Sequence, residues 1–173
     1  VRGVDASAWG QFGPAAVGAG AGLRIEGRVG EGPEISVRWH AVSTDYFRTV
    51  GIPLVTGRGF SPSDRSETER VAVVNETLAR RFFPDEPAVG QLVNTGLDGR
   101  TGEEWNWVRV VGVAADVRNQ GPERPVEPMI FRPRSQQLPG ILGADGAVLH
   151  LRASGPPPLA DVRAAVRAVN ADA

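Results

Sequence analysis

Apolar and polar positions alternate with a period of two through several short runs of this chain. Leu23, Ile25 and Val29 interleave with Arg24, Glu26 and Arg28, which predicts a half-buried strand. After a turn from Gly30 to Pro33, Ile35, Val37, Trp39 and Ala41 alternate with Ser36, Arg38 and His40, predicting a second strand and hairpin partner of the first. On that pattern His40 shares a polar face with Arg38 and is expected to be solvated. Val71 to Val74 is apolar on both faces, the mark of a central strand. Gln91–Thr95, Met129–Phe131 and Val148–Ala153 read as further strands, the last with Leu149 and Leu151 inward. Glu104–Asp116 reads as one long strand with Trp105, Trp107, Val111 and Val113 on one face and Val108 and Val110 on the other.

Three segments switch to a helical period. Phe47 and Val50 fall three apart with Tyr46 beside them, Ser43 or Thr44 can cap, Gly51 suits a left-handed end, and Pro53 forbids continuation. Leu54, Thr56, Arg58 and Phe60 then alternate with Val55, Gly57 and Gly59, and these glycines predict a bulge or a second backbone lying close. Ser61 to Asp64 is a turn of residues that bond their own backbone. Asn75 caps a second helix, Glu76–Phe83, with Leu78 and Phe82 four apart and Pro84 as the stop. The Asn75-Glu76-Thr77 sequon is better explained by that cap than by glycosylation. In the last helix Leu159, Val162, Val166 and Val169 mark one buried face, while Asp161, Arg163 and Arg167 face water.

The remaining stretches carry little periodicity. Residues 1–22 are Gly- and Ala-rich and read as a flexible N-terminal segment. Residues 119–128 form an extended crossing loop, and 134–147 a mobile one. Two strand–helix steps (Trp39–Val50 and Val71–Phe83), a final strand–helix unit, and a β-rich block over 90–133 argue for an α+β fold. The expected division is a split ferredoxin-like βαβ lobe from 23–84 plus 148–173, with 85–147 inserted as a small β-rich lobe behind the rigid link Pro84–Gly90.

Composition narrows the function more than it reveals it. At 173 residues, with 41% apolar and 23% charged, the chain can bury one good core or two small lobes, and general disorder is excluded. A net charge of −1 gives no electrostatic reason to expect nucleic acid. The absence of cysteine removes thiol catalysis, cysteine metal sites and disulfides. No apolar run approaches the roughly 18 to 20 residues that span a bilayer, and no signal peptide is present in the sequence. The run Gly18–Gly22 lacks the flanking strand, helix and lysine of a phosphate loop, so a flexible loop is the expected role. A hydrolase would have to draw on Ser43 or Ser61 with His40 or His150, and no nucleophile elbow is present. Trp105 and Trp107 could stack a sugar or base, though a core edge is the commoner role for such a pair. No catalytic, cofactor-binding or metal-binding residue stands out.

The run Val42–Phe60, VSTDYFRTVGIPLVTGRGF, resembles a characteristic segment of the MacB-like periplasmic core domain, the extracytoplasmic module of MacB/FtsX-type ABC transporter permeases. Four further segments are similar to that family in the same order: Leu23–Arg28, Val71–Pro84 followed by Val89-Gly90-Gln91, Val110–Arg118, and Pro128–Pro133. The terminal helix matches too, so the resemblance covers about residues 23–173; Phe131 replaces the family's tyrosine, and the first twenty residues match little.

The resemblance implies a porter-like lobe with an inserted sabre-like one, held outside the bacterial cytoplasmic membrane between transmembrane helices. It implies structural roles for Tyr46, Phe47, Gly51, Pro53, Gly57, Arg58, Phe60, Asn75, Ala79, Phe82, Gly90, Gly112 and Asp116, and no catalytic residue or cofactor. The implied partners are the rest of the permease and its nucleotide-binding domain. Outside the membrane they are a periplasmic adaptor, a lipoprotein or a second permease copy. The competing expectation is a periplasmic ligand-binding or sensor module that uses a cleft between the lobes.

Overall fold

The structure is a computed structural model that describes residues 4–10, 19–28, 35–96, 100–101, 104–118, 123–136, 148–156 and 158–169. It is a mixed α/β chain built on one large sheet with few helices. The predicted hairpin is present: β2 (Ala19–Ile25) pairs antiparallel with β3 (Ile35–Val42), from Leu23↔Ile35 to Ala19↔Trp39. With β1 (Ala6–Gly10) placed before it, regular structure extends well into the segment expected to be flexible. A Gly-Ala run has no side-chain alternation to read, but its backbone bonds to β3 as well as any other.

Helix α1 (Tyr46–Val50) follows β3 and ends, as predicted, on Gly51 in the left-handed region at φ 79°. Its N-cap is Asp45, without a side-chain capping bond, and not Ser43 or Thr44. Next come β4 (Leu54–Gly57), β5 (Val71–Asn75) and α2 (Glu76–Phe82). The remaining strands are β6 (Leu92–Asn94), β7 (Arg100–Thr101), β8 (Glu104–Trp105), β9 (Val108–Ala114), β10 (Met129–Pro133) and β11 (Val148–Arg152), before α3 (Leu159–Val169).

The pairing closes on itself. β3 meets β2, β2 meets β6, β6 meets β9, and all three pairs are antiparallel. β9 runs parallel to β5, β5 antiparallel to β10, and β10 returns in parallel to β3 at Ile130↔Trp39. Six strands thus form a ring in which each has partners on both edges, the surest way to hide edge amides. Strands from residues 85–147 therefore lie in the same sheet as those from 23–84, and β7–β8 alone forms a separate two-stranded sheet among the described residues. Outside the ring, β4 continues along the edge of β9, and β1 touches β3 at Gly10↔Val42 and carries β11.

Alternation along the ring strands sends side chains into two cores. Val37, Trp39, Ala72, Val74, Val108, Val110 and Ile130 fill the first with Leu78 and Phe83 at α2. Val42, Val71, Val73, Met129 and Phe131 fill the second beneath Tyr46 and Phe47 of α1. The long strand expected over Glu104–Asp116 is broken at 106–107 and slips one residue in β9, where Ala72 faces Val110 but Val73 faces Gly112. That bulge returns Val113 to the face of Val108 and Val110, against simple alternation.

Three further expectations fail because of what does or does not cover a face. His40 is 2% exposed, since α1 lies over the face that alternation makes polar. Leu149 (49%), Leu159 (56%) and Val166 (43%) are exposed although predicted to be inward. Among the described residues β11 pairs with β1 alone, and no element covers the apolar stripe of α3. The loop expected to be mobile lies largely outside the described residues; within it, Arg134–Gln136 form a 3-10 turn whose Gln136 side chain accepts from the Val71 amide at 2.8 Å.

Candidate functional site

The predicted family positions gather mainly around two helix seams. At the first, Tyr46 and Phe47 of α1 enter the second core, where Phe47 meets Phe131 at 5.0 Å and Phe60 at 5.8 Å between ring centroids. Gly51 lets the chain leave α1, and a side chain there would also strike the Arg152 guanidinium, 2.6 Å away. The Pro53 carbonyl accepts from the Ala115 amide at 2.9 Å, the first of the contacts that press β4 onto β9.

Gly57 and Gly112 answer each other across that contact. A methyl group on Gly57 would lie 2.3 Å from the Val111 carbonyl oxygen, and one on Gly112 would lie 2.2 Å from that of Arg58. The close second backbone predicted from the glycine spacing is this one. Beyond it, both terminal nitrogens of Arg58 donate to the Asp64 carboxylate, at 2.8 and 2.9 Å. Burial would raise the Asp64 pKa, but these bonds and one from the Ser61 amide outweigh it and hold the carboxyl below its usual range.

At the second seam Asn75 caps α2 as predicted. Its Oδ1 accepts from the Leu78 and Met129 amides at 3.0 and 2.9 Å, and its amide nitrogen donates to the Glu127 carbonyl at 3.0 Å. Asp116 accepts from the Thr77 amide and hydroxyl and from Arg80, all within 2.9 Å. Asp116, at the end of that strand, is thereby ion-paired with Arg80 of α2. Ala79 and Phe82 pack against the first core, while Gly90 stands apart, with φ 99° and its amide donating to Val110. None of these contacts assembles a nucleophile with a base. Each fixes one element on another.

The pattern missed what lies between the seams. His40, Tyr46, Asn75, Met129 and Phe131 line a cavity of about 90 Å³, walled by Val50, Ile52, Val117 and Val126, with Arg118, Arg124 and Glu127 at its polar side. That volume falls far below the roughly 300 to 1,000 Å³ of sites for drug-sized ligands. Burial, helped by nearby His150, lowers the His40 pKa to about 4, and burial raises that of Tyr46 to about 12, so both are neutral near pH 7. In sequence His40 is an unremarkable member of an alternating run and Tyr46 of a short helical one. Only the meeting of β3, α1 and β11 makes them neighbours. Trp105 and Trp107 do not share one strand, because β8 ends at Trp105 and β9 begins at Val108.

Among the described residues no group of three or more His, Asp or Glu side chains is placed to hold a metal ion, and no helix is long and apolar enough to cross a membrane. The sequence profile of the MacB-like periplasmic core domain matches residues 5–169. The chain belongs to that family. It is 30% identical over 111 residues to the macrolide export ATP-binding/permease protein MacB 1/2 of Paracoccus denitrificans (strain Pd 1222); the match takes in 64% of this chain and 15% of that protein's length.

Solved structures share the fold. The periplasmic region of MacB from Actinobacillus actinomycetemcomitans superposes with a TM-score of 0.65 at 17% identity, over 98% of this chain and 69% of that one. A domain of a putative permease from Porphyromonas gingivalis gives 0.61 at 13%, over 97% and 70%. The extracellular domain of the noncanonic ABC-type transporter YknZ from Gram-positive bacteria gives 0.60 at 13%, over 93% and 71%. The MacB-like chain is thus an extracytoplasmic domain of the kind carried by ABC permeases.

Proposed function

We propose that this MacB-like domain is a non-catalytic transmission element of a membrane-anchored permease subunit. It couples ATP-driven motion on the cytoplasmic side to partner or substrate handling outside, by mechanotransmission or in efflux. The observation that carries this reading is the family match over nearly the whole chain. It is supported by motif residues that fasten elements together: the Gly57–Gly112 backbone contact, the Arg58–Asp64 pair and the Asn75 and Asp116 anchors. Two cores sharing one closed ring resist local yielding, so force applied at one end moves the body as a unit.

ATP hydrolysis belongs on this reading to a separate nucleotide-binding domain or subunit. The partners are the transmembrane helices and, outside, an adaptor, a lipoprotein or a second permease copy. The split ferredoxin-like lobe and its inserted β-rich lobe would then move together as one unit, since their strands share a sheet. Macrolide export, named for the relative from Paracoccus denitrificans, supplies the first cargo to test. The sensor alternative gains little from a 90 Å³ cavity whose Asn75 is already committed to three backbone groups and whose Glu127 is held by Arg38.

The coding sequence on either side of residues 1 and 173 gives a direct test. One apolar stretch of about 20 residues upstream and three downstream are expected. A decisive functional test replaces residues 5–169 of the full-length permease by a Gly/Ser linker. ATP hydrolysis should persist while export is lost, and export at the original rate would overturn the proposal.

A further inference from the structure

The chain contains two histidines, and the fold brings both to Gly10. A methyl group placed on Gly10 would stand 3.0 Å from Nε2 of His40, 3.0 Å from Nε2 of His150 and 3.1 Å from Cε2 of Tyr46. The two Nε2 atoms are therefore within about 6 Å of each other, close enough for one charge to oppose the other. Tyr46 stands 5.3 Å from both imidazole centroids, and Phe131 stacks on His40 at 6.0 Å.

This cluster lies where the β1–β11 ribbon meets the ring. The ribbon's own strands pair over five residues, Ala6↔Arg152 to Gly10↔Val148, yet among the described residues its sheet link to the ring is the single pair Gly10↔Val42. Among the described residues further ties run through Ala8 into the second core and to α1, which packs on both ribbon strands and whose Thr49 carbonyl accepts from Arg152 Nε at 2.9 Å. The ribbon is thus internally cohesive and narrowly attached, with both histidines at the attachment.

We infer that His40, with His150 beside it, forms a pH-sensitive latch: with His40 neutral the ribbon is docked on α1 and β3, and protonation of His40 undocks it while the ring stays folded. Burial and the nearby His150 oppose an imidazolium at His40. Tyr46 faces the pair from α1 as a neutral phenol, and Phe131 faces it from β10 as an apolar ring. Arg152, on β11, adds positive charge beside Thr49. Asp45 on the outer side of α1 is held by Arg48, and Asp5 leads into β1 at an exposed position. Arg132 of β10 donates to the Val71 carbonyl. On the cavity side Glu127 is held by two nitrogens of Arg38, with Arg118 and Arg124 close by.

Proton linkage fixes the direction. An undocked imidazole takes its proton near pH 6.5, whereas burial, and then His150, delay that of docked His40 to about 4. Docking is therefore fully supported above pH 6.5, weakens as the pH falls towards 4, and changes no further below that. For one such group the undocking equilibrium rises by roughly two orders of magnitude across the window. The inference rests on the fold alone and survives failure of the permease reading.

The test uses this chain with its two imidazole signals followed by NMR and its amides by hydrogen exchange, corrected for intrinsic rate, at pH 7.5 and 4.5. The His40 signal should titrate well below 6.5. Protection in residues 4–10 and 148–152 should fall about a hundredfold relative to β5 between those pH values. His40→Phe, which keeps a ring without its charge, should reduce that fall. His150→Gln, a second variant for use if the first fails to fold, should raise the His40 midpoint and also flatten the response. Ribbon protection that is independent of pH overturns the latch. So does ribbon protection lost together with β5, or a response unchanged in a folded variant.

Discussion

Val71–Phe82 and Val148–Val169 are both a five-residue strand followed by an amphipathic helix, yet every residue of β5 is buried and no residue of β11 is. β5 has β10 on one edge and β9 on the other, and α2 lies over it with Leu78 fully buried. β11 has β1 on one edge, and the stripe of α3 meets no comparable surface. The apolar period of a helix therefore states which face it can offer. Whether that face is taken depends on how the preceding strand is flanked.

The strongest challenge to this comparison is a pair of truncations. Leu78→Ala should cost about 2 to 5 kcal/mol by leaving a cavity in the first core. Val166→Ala on exposed α3 should stay within roughly 0.5 kcal/mol. Urea unfolding of the two variants decides it, and a Val166→Ala loss as large as that of Leu78→Ala would mean that α3 is packed after all. Glycines give a second, smaller contrast. Gly112→Ala forces a methyl group to within 2.2 Å of the Arg58 carbonyl oxygen and should cost about 1 to 3 kcal/mol. Gly155→Ala, just before α3 and with nothing within 4 Å, should be neutral or slightly stabilising, read from melting temperatures side by side.

The smallest expected effect concerns pH. Burial pushes the Asp116 pKa up, but its bonds to Arg80 and Thr77 outweigh this and hold it below the usual range. A lowered carboxyl stabilises the fold above its unfolded pKa and loses that contribution as the pH drops through its folded one. Asp116→Asn should therefore lower the urea midpoint at pH 7 and leave the variant and the original chain closer together near pH 3. Arg80 is largely exposed, which keeps the difference modest. An Asp116→Asn deficit that grows on acidification would remove the Asp116 anchor from the account of why β5–α2 is the firmer unit.

Much of the β5–α2 half is legible in the sequence. Asn75 followed by Leu78 and Phe82 announces a capped helix, and Val71–Val74 announces a strand covered on both sides, because both signals are local. The Gly51 terminus and the close backbone at Gly57 are legible for the same reason: only a residue without a Cβ fits either place. β1 and the start of β2 are not, since Gly and Ala carry no alternation. Nor is the His40–Tyr46–His150 cluster. Its members come from a strand, a helix and a distant edge strand, and no spacing rule joins them.

By itself, then, the sequence determined the family, the order of most strands and helices, the α2 cap and the glycine-dependent turns, because each depends on neighbours within a few residues or on an ordered set of motifs. Tertiary structure alone decided that six strands close a ring, that β9 slips by one residue, that His40 is buried and that α3 is not. Those outcomes turn on which surfaces meet. A strand or helix carries its own periodicity wherever it goes, but burial and the pKa shifts that follow belong to a pair of surfaces, and the partner surface is encoded far away along the chain.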